Sequence, residues 1–259
     1  MAPSSVAPVD PYAWAIDRDT LIVVPAHVFA YVLITRRFPA SPWRWASFLT
    51  AHALILIVSN SPVNTIALNY LLSVHLLQNV VYAEWAPGLA VLGLPATFAA
   101  WAARYRLVRI ATHPAFALPV WLATYFTWHV PAIYDAALDH HSLLHVEHGM
   151  YFWTGVLVWW PVVHGRMHSG AKAGYLFAAF VLASPLGLLL ALVPRAAYDT
   201  YVHAPERLWG LSPLADQQLA GATMATEQAA VFFAVFALYF ARFMREQEAL
   251  EEEVTPDSS

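Results

Sequence analysis

The sequence predicts an all-α integral membrane protein, a helical bundle of about seven transmembrane helices, and three observations support this class. Hydrophobic residues make up 59% of the 259 residues and charged residues only 12%, against about 25% charged residues in an ordinary soluble domain. Apolar stretches of transmembrane length recur between polar breaks. Eleven Trp, twelve Tyr and fourteen Phe add aromatic residues that suit membrane interfaces. A soluble domain with so few charges could not cover this apolar surface, so the lipid bilayer is the expected solvent.

Seven apolar stretches have the length that a helix needs to cross a bilayer, about 17–25 residues. They lie near residues 20–36, 43–60, 65–84, 112–130, 143–163, 174–193 and 220–242. After the third stretch, prolines and glycines interrupt the apolar run Leu89–Trp101, which is too short to cross alone. These interrupting residues are Pro87, Gly88, Gly93 and Pro95. We therefore expect residues 88–101 to form a re-entrant or interfacial segment that is buried by protein.

The basic residues predict the orientation of the bundle. Ten of the thirteen positive charges fall in alternate loops, on one side: Arg36, Arg37, Arg44, Arg104, Arg106, Arg109, Arg166, Lys172, Arg242 and Arg245. The positive-inside rule places this side in the cytoplasm, with the N-terminus outside and the C-terminus inside. Residues 1–19 carry no basic n-region, so they form an extracytoplasmic segment before a retained first span. Residues 20–244 form the seven-helix domain, and the acidic cytoplasmic tail 245–259 is expected to be solvated and partly disordered.

Several functional classes are excluded or disfavoured by composition and by missing motifs. The chain has no cysteine, which excludes disulfides, thiolate zinc sites and covalent c-type haem attachment. Thirteen basic residues without a basic run argue against nucleic-acid binding. The sequence has no Gly-rich phosphate loop, no GxSxG motif and no HExxH motif, so nothing in it favours hydrolase chemistry. A non-catalytic membrane protein is the expectation.

Twelve histidines are many for so hydrophobic a chain, and half of them lie in or at the edge of predicted spans. These six are His27, His52, His75, His129, His145 and His148. In the predicted topology all six fall within roughly 16 Å of the outer surface, at 1.5 Å of rise per helical residue. Polar groups at this depth are costly and mark candidate sites. We expect His75, His145 and His148 to be metal ligands, because polar residues recur on the same helix faces.

Neighbouring residues on these faces indicate how a metal site would be supported. Gln78 and Asn79 follow His75 at i+3 and i+4, and Glu147 could orient an imidazole from behind. The last span presents Gln217 and Met224 on one face, and His52 is a further intramembrane histidine. Imidazoles with a thioether and without a thiolate suit copper, zinc or haem iron better than magnesium or calcium. The alternative is that each intramembrane histidine has a packing role and that Met224 only fills the core.

Three ordered motifs resemble those of the CtaG-type cytochrome c oxidase assembly factors. The first comprises residues 75–79 (HLLQN), 86–89 (APGL) and 92–95 (LGLP). The second comprises residues 128–131 (WHVP), 134–135 (YD), 145–148 (HVEH) and 159–161 (WWP). The third is residues 213–221 (PLADQQLAG). Together the motifs cover about residues 65–230, and their order and spacing make the resemblance specific.

The resemblance implies a multi-pass protein of the bacterial plasma membrane that helps to build haem–copper oxidase, with copper delivery to the oxidase as its role. The positions that it carries over are His75, His129, His145, His148, Asp216 and Gln217. One position departs from the family pattern. A second histidine commonly follows four residues after the first, whereas this chain has Asn79, and asparagine is a poor copper ligand.

Three hypotheses remain open at this stage. In the leading one, copper binds to His75, His145 and His148, with His129 as an auxiliary ligand, and passes to a cytochrome c oxidase subunit docked in the lipid bilayer. In the second, the protein is a b-type cytochrome whose haem lies between His75 and His145. In the third, the protein is a metal-free scaffold, and its histidines form hydrogen bonds between helices.

Overall fold

The computed structural model describes residues 9–254, which are 81% helical and contain no β-strand. Along this part of the chain the α-helices are α1 (Thr20–Arg37), α2 (Pro42–Ser59), α3 (Pro62–Asn69), α4 (Leu72–Val80), α5 (Ala86–Gly93), α6 (Ala96–Ala102), α7 (Arg106–Ala111), α8 (Pro114–Trp128), α9 (Pro131–Asp139), α10 (His141–Val163), α11 (Ser169–Leu192), α12 (Asp199–Val202) and α13 (Pro213–Val254). A π-helical turn, Val81–Trp85, joins α4 to α5, and a 3-10 turn, Leu208–Gly210, precedes α13. The all-α prediction is confirmed.

Among residues 9–254, three helices are long and apolar enough to cross a membrane: α1, α11 and the Pro213–Glu251 part of α13. Fewer than half of the residues in each of these apolar segments are buried within the protein, so the remaining apolar side chains face outward, as lipid contact requires. Two bent helix pairs raise the number to five if each pair is one span. These are α2 with α3, bent by 57°, and the helix Leu72–Gly93 with α6, bent by 98°.

Two of the seven predicted spans correspond to helices that are less suited to crossing. The helix α8 has 15 residues, a length of about 22 Å at 1.5 Å per residue, whereas the hydrocarbon core is about 30 Å thick. The helix α10 has 23 residues, but His145, Glu147 and His148 reduce the apolar character of its first half. The seven-span count is therefore still a prediction.

The bounds predicted for the third span are wrong. The chain leaves helical geometry at Tyr70 and Leu71, and a continuous helix then runs from Leu72 to Gly93 instead of ending near residue 84. The helix begins at Leu72 because the buried carboxylate of Asp216 accepts hydrogen bonds from its first backbone N–H groups. The π-helical turn lets the helix pass Pro87, so the bend comes only before α6.

The ends of the bundle differ in chemistry. At one end two basic segments come together: Lys172 and Arg242 both lie over the ring of Tyr239, at 5.1 and 5.4 Å from its centroid, and Ser169 donates to Glu246 at 2.6 Å. At the other end, which carries the N-terminus of α10, the predicted outer segments meet. Contacts there join Thr65 to Ala13, Tyr201 to Ala67 and Asp19 to His145. Two of the four predicted basic segments, residues 164–173 and the segment from Arg242 onward, are thus adjacent in the fold, and the orientation of the bundle stays a prediction.

The last helix is longer than the predicted seventh span. Helix α13 continues to Val254, so residues 245–254 are helical, whereas the tail was expected to be partly disordered. Glutamate, alanine and leucine, which dominate this segment, are good helix formers. Its side chains are exposed from Arg245 to Glu251, which agrees with the predicted solvated character. Residues 1–8 and 255–259 of the predicted terminal segments lie outside the described residues.

Candidate metal centre

Three helices bring three histidines into the interior near the non-basic end. His75 lies in the first turns of α4, His148 lies in α10, and His129 follows the last residue of α8. Their exposed fractions are 0%, 6% and 5%. We call His75, His129 and His148 the inner cluster. Burial of three imidazoles is costly unless their nitrogen atoms have partners.

Hydrogen bonds determine which nitrogen of His75 carries its proton. The Tyr201 hydroxyl donates its single proton to the carbonyl oxygen of Ala67 at 2.7 Å. The same hydroxyl lies 2.7 Å from His75 Nδ1, so this nitrogen must donate to it. Nε2 of His75 is then left with a lone pair, and it has no hydrogen-bond partner among the described residues. A neutral imidazole in this tautomer is prepared for a metal ion.

His129 has the same arrangement through a different partner. Its Nδ1 lies 2.7 Å from the carbonyl oxygen of Tyr125, and a carbonyl oxygen can only accept. Nε2 of His129 therefore carries the lone pair and is buried without a partner in the described chain. A hydrogen bond from one ring nitrogen to a carbonyl oxygen is a common way of orienting a metal-binding histidine.

His148 has no hydrogen-bond partner on either ring nitrogen within the described residues. Its ring stacks on Tyr82 with the ring centroids 4.2 Å apart, and it lies 6.4 Å from the ring of His75. Buried polar atoms without a partner are rare in native structures, and a missing ligand is one explanation of them. The inner cluster therefore offers nitrogen donors that the protein itself does not use.

The predicted ligand triplet of His75, His145 and His148 is not brought together as a unit. The structure places His75 near His148, but His145 lies at the surface with its Nε2 2.9 Å from Asp19 Oδ2. Residues 145 and 148 are three apart, which separates their directions by about 60° around the helix. His145 consequently faces His141, with ring centroids 4.2 Å apart, while His148 faces the interior.

A tight donor group exists at this surface position. One ligand atom each from Asp19, His141 and His145 lies within 4.8 Å of the other two, and this is the single such group among the described residues. The ligand atoms of His75, His129 and His148 do not all lie within 4.8 Å of one another. We call Asp19, His141 and His145 the outer group.

A cavity of about 280 Å³ lies between the outer group and the inner cluster. Its lining includes Asp19 and His145 of the outer group, His148 of the inner cluster, and His27. Tyr82, which stacks on His148, also lines it. Histidine side chains thus follow the cavity from the surface to the interior.

His27 and His52 form a pair beside this cavity. His52 Nδ1 donates to the carbonyl oxygen of Phe48 at 2.8 Å, which leaves its Nε2 as an acceptor. His27 Nδ1 lies 3.2 Å from that Nε2 and must donate to it, so His27 Nε2 keeps a lone pair. His52, predicted as an auxiliary residue, thus orients His27.

The hydrogen bonds of the supporting residues predicted on α4 and α10 join them to groups other than an imidazole. Asn79 Nδ2 donates to Glu147 Oε1 at 3.2 Å, so Glu147 pairs with the residue that stands where the family commonly has histidine. Gln78 Nε2 donates to the Val58 carbonyl oxygen at 3.0 Å and to Asn64 at 2.9 Å. These residues join helices, and the contacts place none of them as a ligand.

The predicted residues of the last span are also structural in their contacts. Asp216 accepts from Leu72 N at 2.7 Å and so caps α4. Gln217 accepts from Ala197 N at 2.7 Å and donates to Arg195 O, which holds the segment after α11. Met224 is 2% exposed and lines a small void together with Asn79 and His129.

Three residues that contact the candidate metal ligands were not predicted from the sequence. Asp19 and His141 are not among the predicted site residues, because their contact joins α10 to a segment more than a hundred residues earlier. Tyr201 was missed for the same reason, since it lies 126 residues after His75. The i, i+4 spacing of His141 and His145 was the available signal.

Comparisons with known proteins give one match. Neither a curated protein nor a solved structure matches the chain. A family model described as cytochrome c oxidase caa3 assembly factor (Caa3_CtaG) matches residues 27–246, which is nearly the whole chain and includes the inner cluster. The resemblance seen in the sequence motifs is thereby confirmed, and the chain belongs to the cytochrome c oxidase caa3 assembly factor family.

Proposed function

We propose that this protein binds copper through the inner cluster in the bacterial plasma membrane and passes it to a subunit of cytochrome c oxidase. Family membership supports the role in oxidase assembly. The observation that carries the copper assignment is the set of buried, unpartnered nitrogens of His75, His129 and His148. Copper is the cargo in this proposal, and no chemical step on it is required of the protein.

The chemistry of the donors suits a carrier of this kind. Imidazole nitrogens accept copper ions, and the chain has no thiolate that would hold copper more tightly. A carrier must release its cargo, so moderate affinity is an advantage over the strongest binding. We infer a non-catalytic role, because delivery needs binding and release alone.

The proposal includes seven spans with the N-terminus outside and the C-terminus in the cytoplasm. The contact at one end of the bundle between two basic segments, residues 164–173 and the segment from Arg242 onward, supports this orientation under the positive-inside rule. The inner cluster then lies toward the outer side of the membrane. Two of the proposed spans are α8, which has only 15 residues, and α10, whose first half carries His145, Glu147 and His148.

The test is copper content together with oxidase maturation in cells. We expect the triple variant His75→Gln, His129→Gln and His148→Gln to lose copper after purification in detergent and to reduce the amount of active oxidase. The matched control is His203→Gln, because His203 is exposed and far from the cluster in sequence. Unchanged copper and unchanged oxidase in the triple variant would contradict the proposal and favour a metal-free scaffold. A Soret absorption band in the purified protein would favour the b-type cytochrome.

A further inference from the structure

The outer group is built from two parts of the chain that meet at the non-basic end of the bundle. Asp19 immediately precedes α1, and His141 and His145 lie one turn apart at the start of α10. Asp19 and His141 are exposed, and the side chain of His145 is 21% exposed. An ion arriving from solution would first meet Asp19 and His141, and His145 Nε2, which is buried, lies just behind them.

The donor atoms of the outer group define the class of ion that fits. Two imidazole nitrogens and one carboxylate oxygen form a set that Zn²⁺ and Cu²⁺ accept and that Mg²⁺ and Ca²⁺ disfavour. The three donor atoms already lie within 4.8 Å of one another. The i, i+4 spacing on α10 holds the two rings on one face, so little rearrangement is needed to bring them onto one ion.

A second observation connects the outer group with a ligand path. Asp19 and His145 line the same cavity as His148, whose ring nitrogens are buried and have no partner in the described chain. His27 lines this cavity as well, and its Nε2 keeps a lone pair as derived above. A surface group with metal-binding donors thus opens onto an interior with further unused nitrogen donors.

We propose that Asp19, His141 and His145 form an outer metal site that binds a divalent transition-metal ion and is the entry point to the cavity. Cu²⁺ is expected to bind more tightly than Zn²⁺, in accordance with the Irving–Williams order. Binding at the outer site stands on its own geometry, whereas the role in entry rests on the proposed copper-carrier function.

The experiment is a titration of the detergent-purified full chain with Cu²⁺ alone, followed by electron paramagnetic resonance. The double variant His141→Ala and His145→Ala should lose one equivalent of bound Cu²⁺ together with its nitrogen hyperfine pattern. Asp19→Asn should weaken that equivalent by about tenfold or more while keeping the shape of the side chain. The control His140→Ala changes the adjacent exposed histidine, which is not part of the group, and should bind as the wild type does.

The outcome separates the outer site from the inner cluster. If the double variant keeps every equivalent and the wild-type spectrum, or if the His140→Ala control loses the same equivalent, the outer site is wrong. The variant His75→Gln and His148→Gln should keep the outer equivalent. If it binds as much copper as the wild type while the outer variants lose theirs, the inner cluster fails and the outer site stands.

Entry has its own measurement. Stopped-flow mixing with Cu²⁺ should show slower loading of the inner cluster in the outer double variant than in the wild type, with the same final occupancy of that cluster. An unchanged loading rate would remove the entry role and leave the outer site as a separate binding site. Elution of each variant at the wild-type volume in size-exclusion chromatography verifies its fold.

Discussion

At the scale of single residues, the tautomer of a buried imidazole is a structural property of its neighbours. The Tyr201 hydroxyl oxygen and the carbonyl oxygen of Tyr125 each accept a hydrogen bond from Nδ1 of one imidazole, which leaves the lone pair of that ring on Nε2. Since a metal ion needs the unprotonated nitrogen, these two acceptors prepare His75 and His129 for binding. The partner of the histidine therefore matters as much as the histidine.

Tyr201→Phe tests this reasoning. The change removes the acceptor of His75 Nδ1 and nearly preserves volume, so we expect copper affinity to fall by about tenfold or more. The measurement is a competition titration of copper against a chelator of known affinity. Tyr175→Phe is the matched control, because the Tyr175 hydroxyl donates to the Val158 carbonyl oxygen and contacts no histidine of the inner cluster. Equal losses of affinity in the two variants would contradict a specific role for Tyr201.

Part of the site could be predicted at this scale. Helical spacing and the family motifs pointed to His75, His129 and His148, because these signals are local in sequence. The pairing of His145 with Asp19 could not be predicted, since it depends on the way that the fold brings the start of α1 to the start of α10. The role of Asp216 was hidden for the same reason, because the helix that it caps lies 144 residues earlier.

At the scale of elements, the turn that joins α4 to α5 depends on a close approach by α10. Pro87 has no N–H to donate within the helix, and the N–H of Ala86 bonds to Val81 O in the π-helical turn. Gly155 of α10 lies directly against this turn. A Cβ at position 155 would clash with the Ala83 carbonyl oxygen and would lie 2.5 Å from Cγ of Pro87.

Gly155→Ala should therefore separate α10 from the turn. We expect overpacking to lower the stability by about 1–3 kcal/mol, and the measurement is thermal unfolding in detergent. Gly149→Ala in the same helix is the control, because a Cβ there meets no atom within 4 Å. Replacing a helical glycine by alanine at an open position is neutral or stabilising, by up to about 1 kcal/mol. A Gly155→Ala variant as stable as the control would show that α10 can yield at this contact.

The positions of the long helices could be predicted from the sequence wherever the length of an apolar stretch determines them. Each of the seven apolar stretches overlaps a helix of the structure. The third differs most, since its start is set by the distant Asp216 and its end by the way that the π-helical turn accommodates Pro87. Local composition carries no information about either effect.

At the scale of the whole molecule, the orientation in the membrane can be tested with single cysteine substitutions. The native chain has no cysteine, so no residue has to be removed first. Two labelling sites are suitable, and both are exposed. Position 139, changed by Asp139→Cys, lies just before α10, and position 168, changed by His168→Cys, lies between α10 and α11. In intact cells we expect a membrane-impermeant maleimide to label the first cysteine and to label the second only after permeabilisation. The reverse pattern would overturn the proposed orientation, and labelling of both in intact cells would contradict α10 as a span.

The capping of α4 by Asp216 also determines when the inner cluster can be completed during synthesis of the chain. His75 leaves the ribosome early, yet the carboxylate that holds the start of its helix follows 143–144 residues after the groups that it caps. The hydroxyl that orients His75 also comes late, 126 residues after it. A nascent or prematurely terminated chain therefore lacks the finished inner cluster. Under the proposed function, loading of the inner cluster with copper would therefore wait until Asp216 has been synthesised.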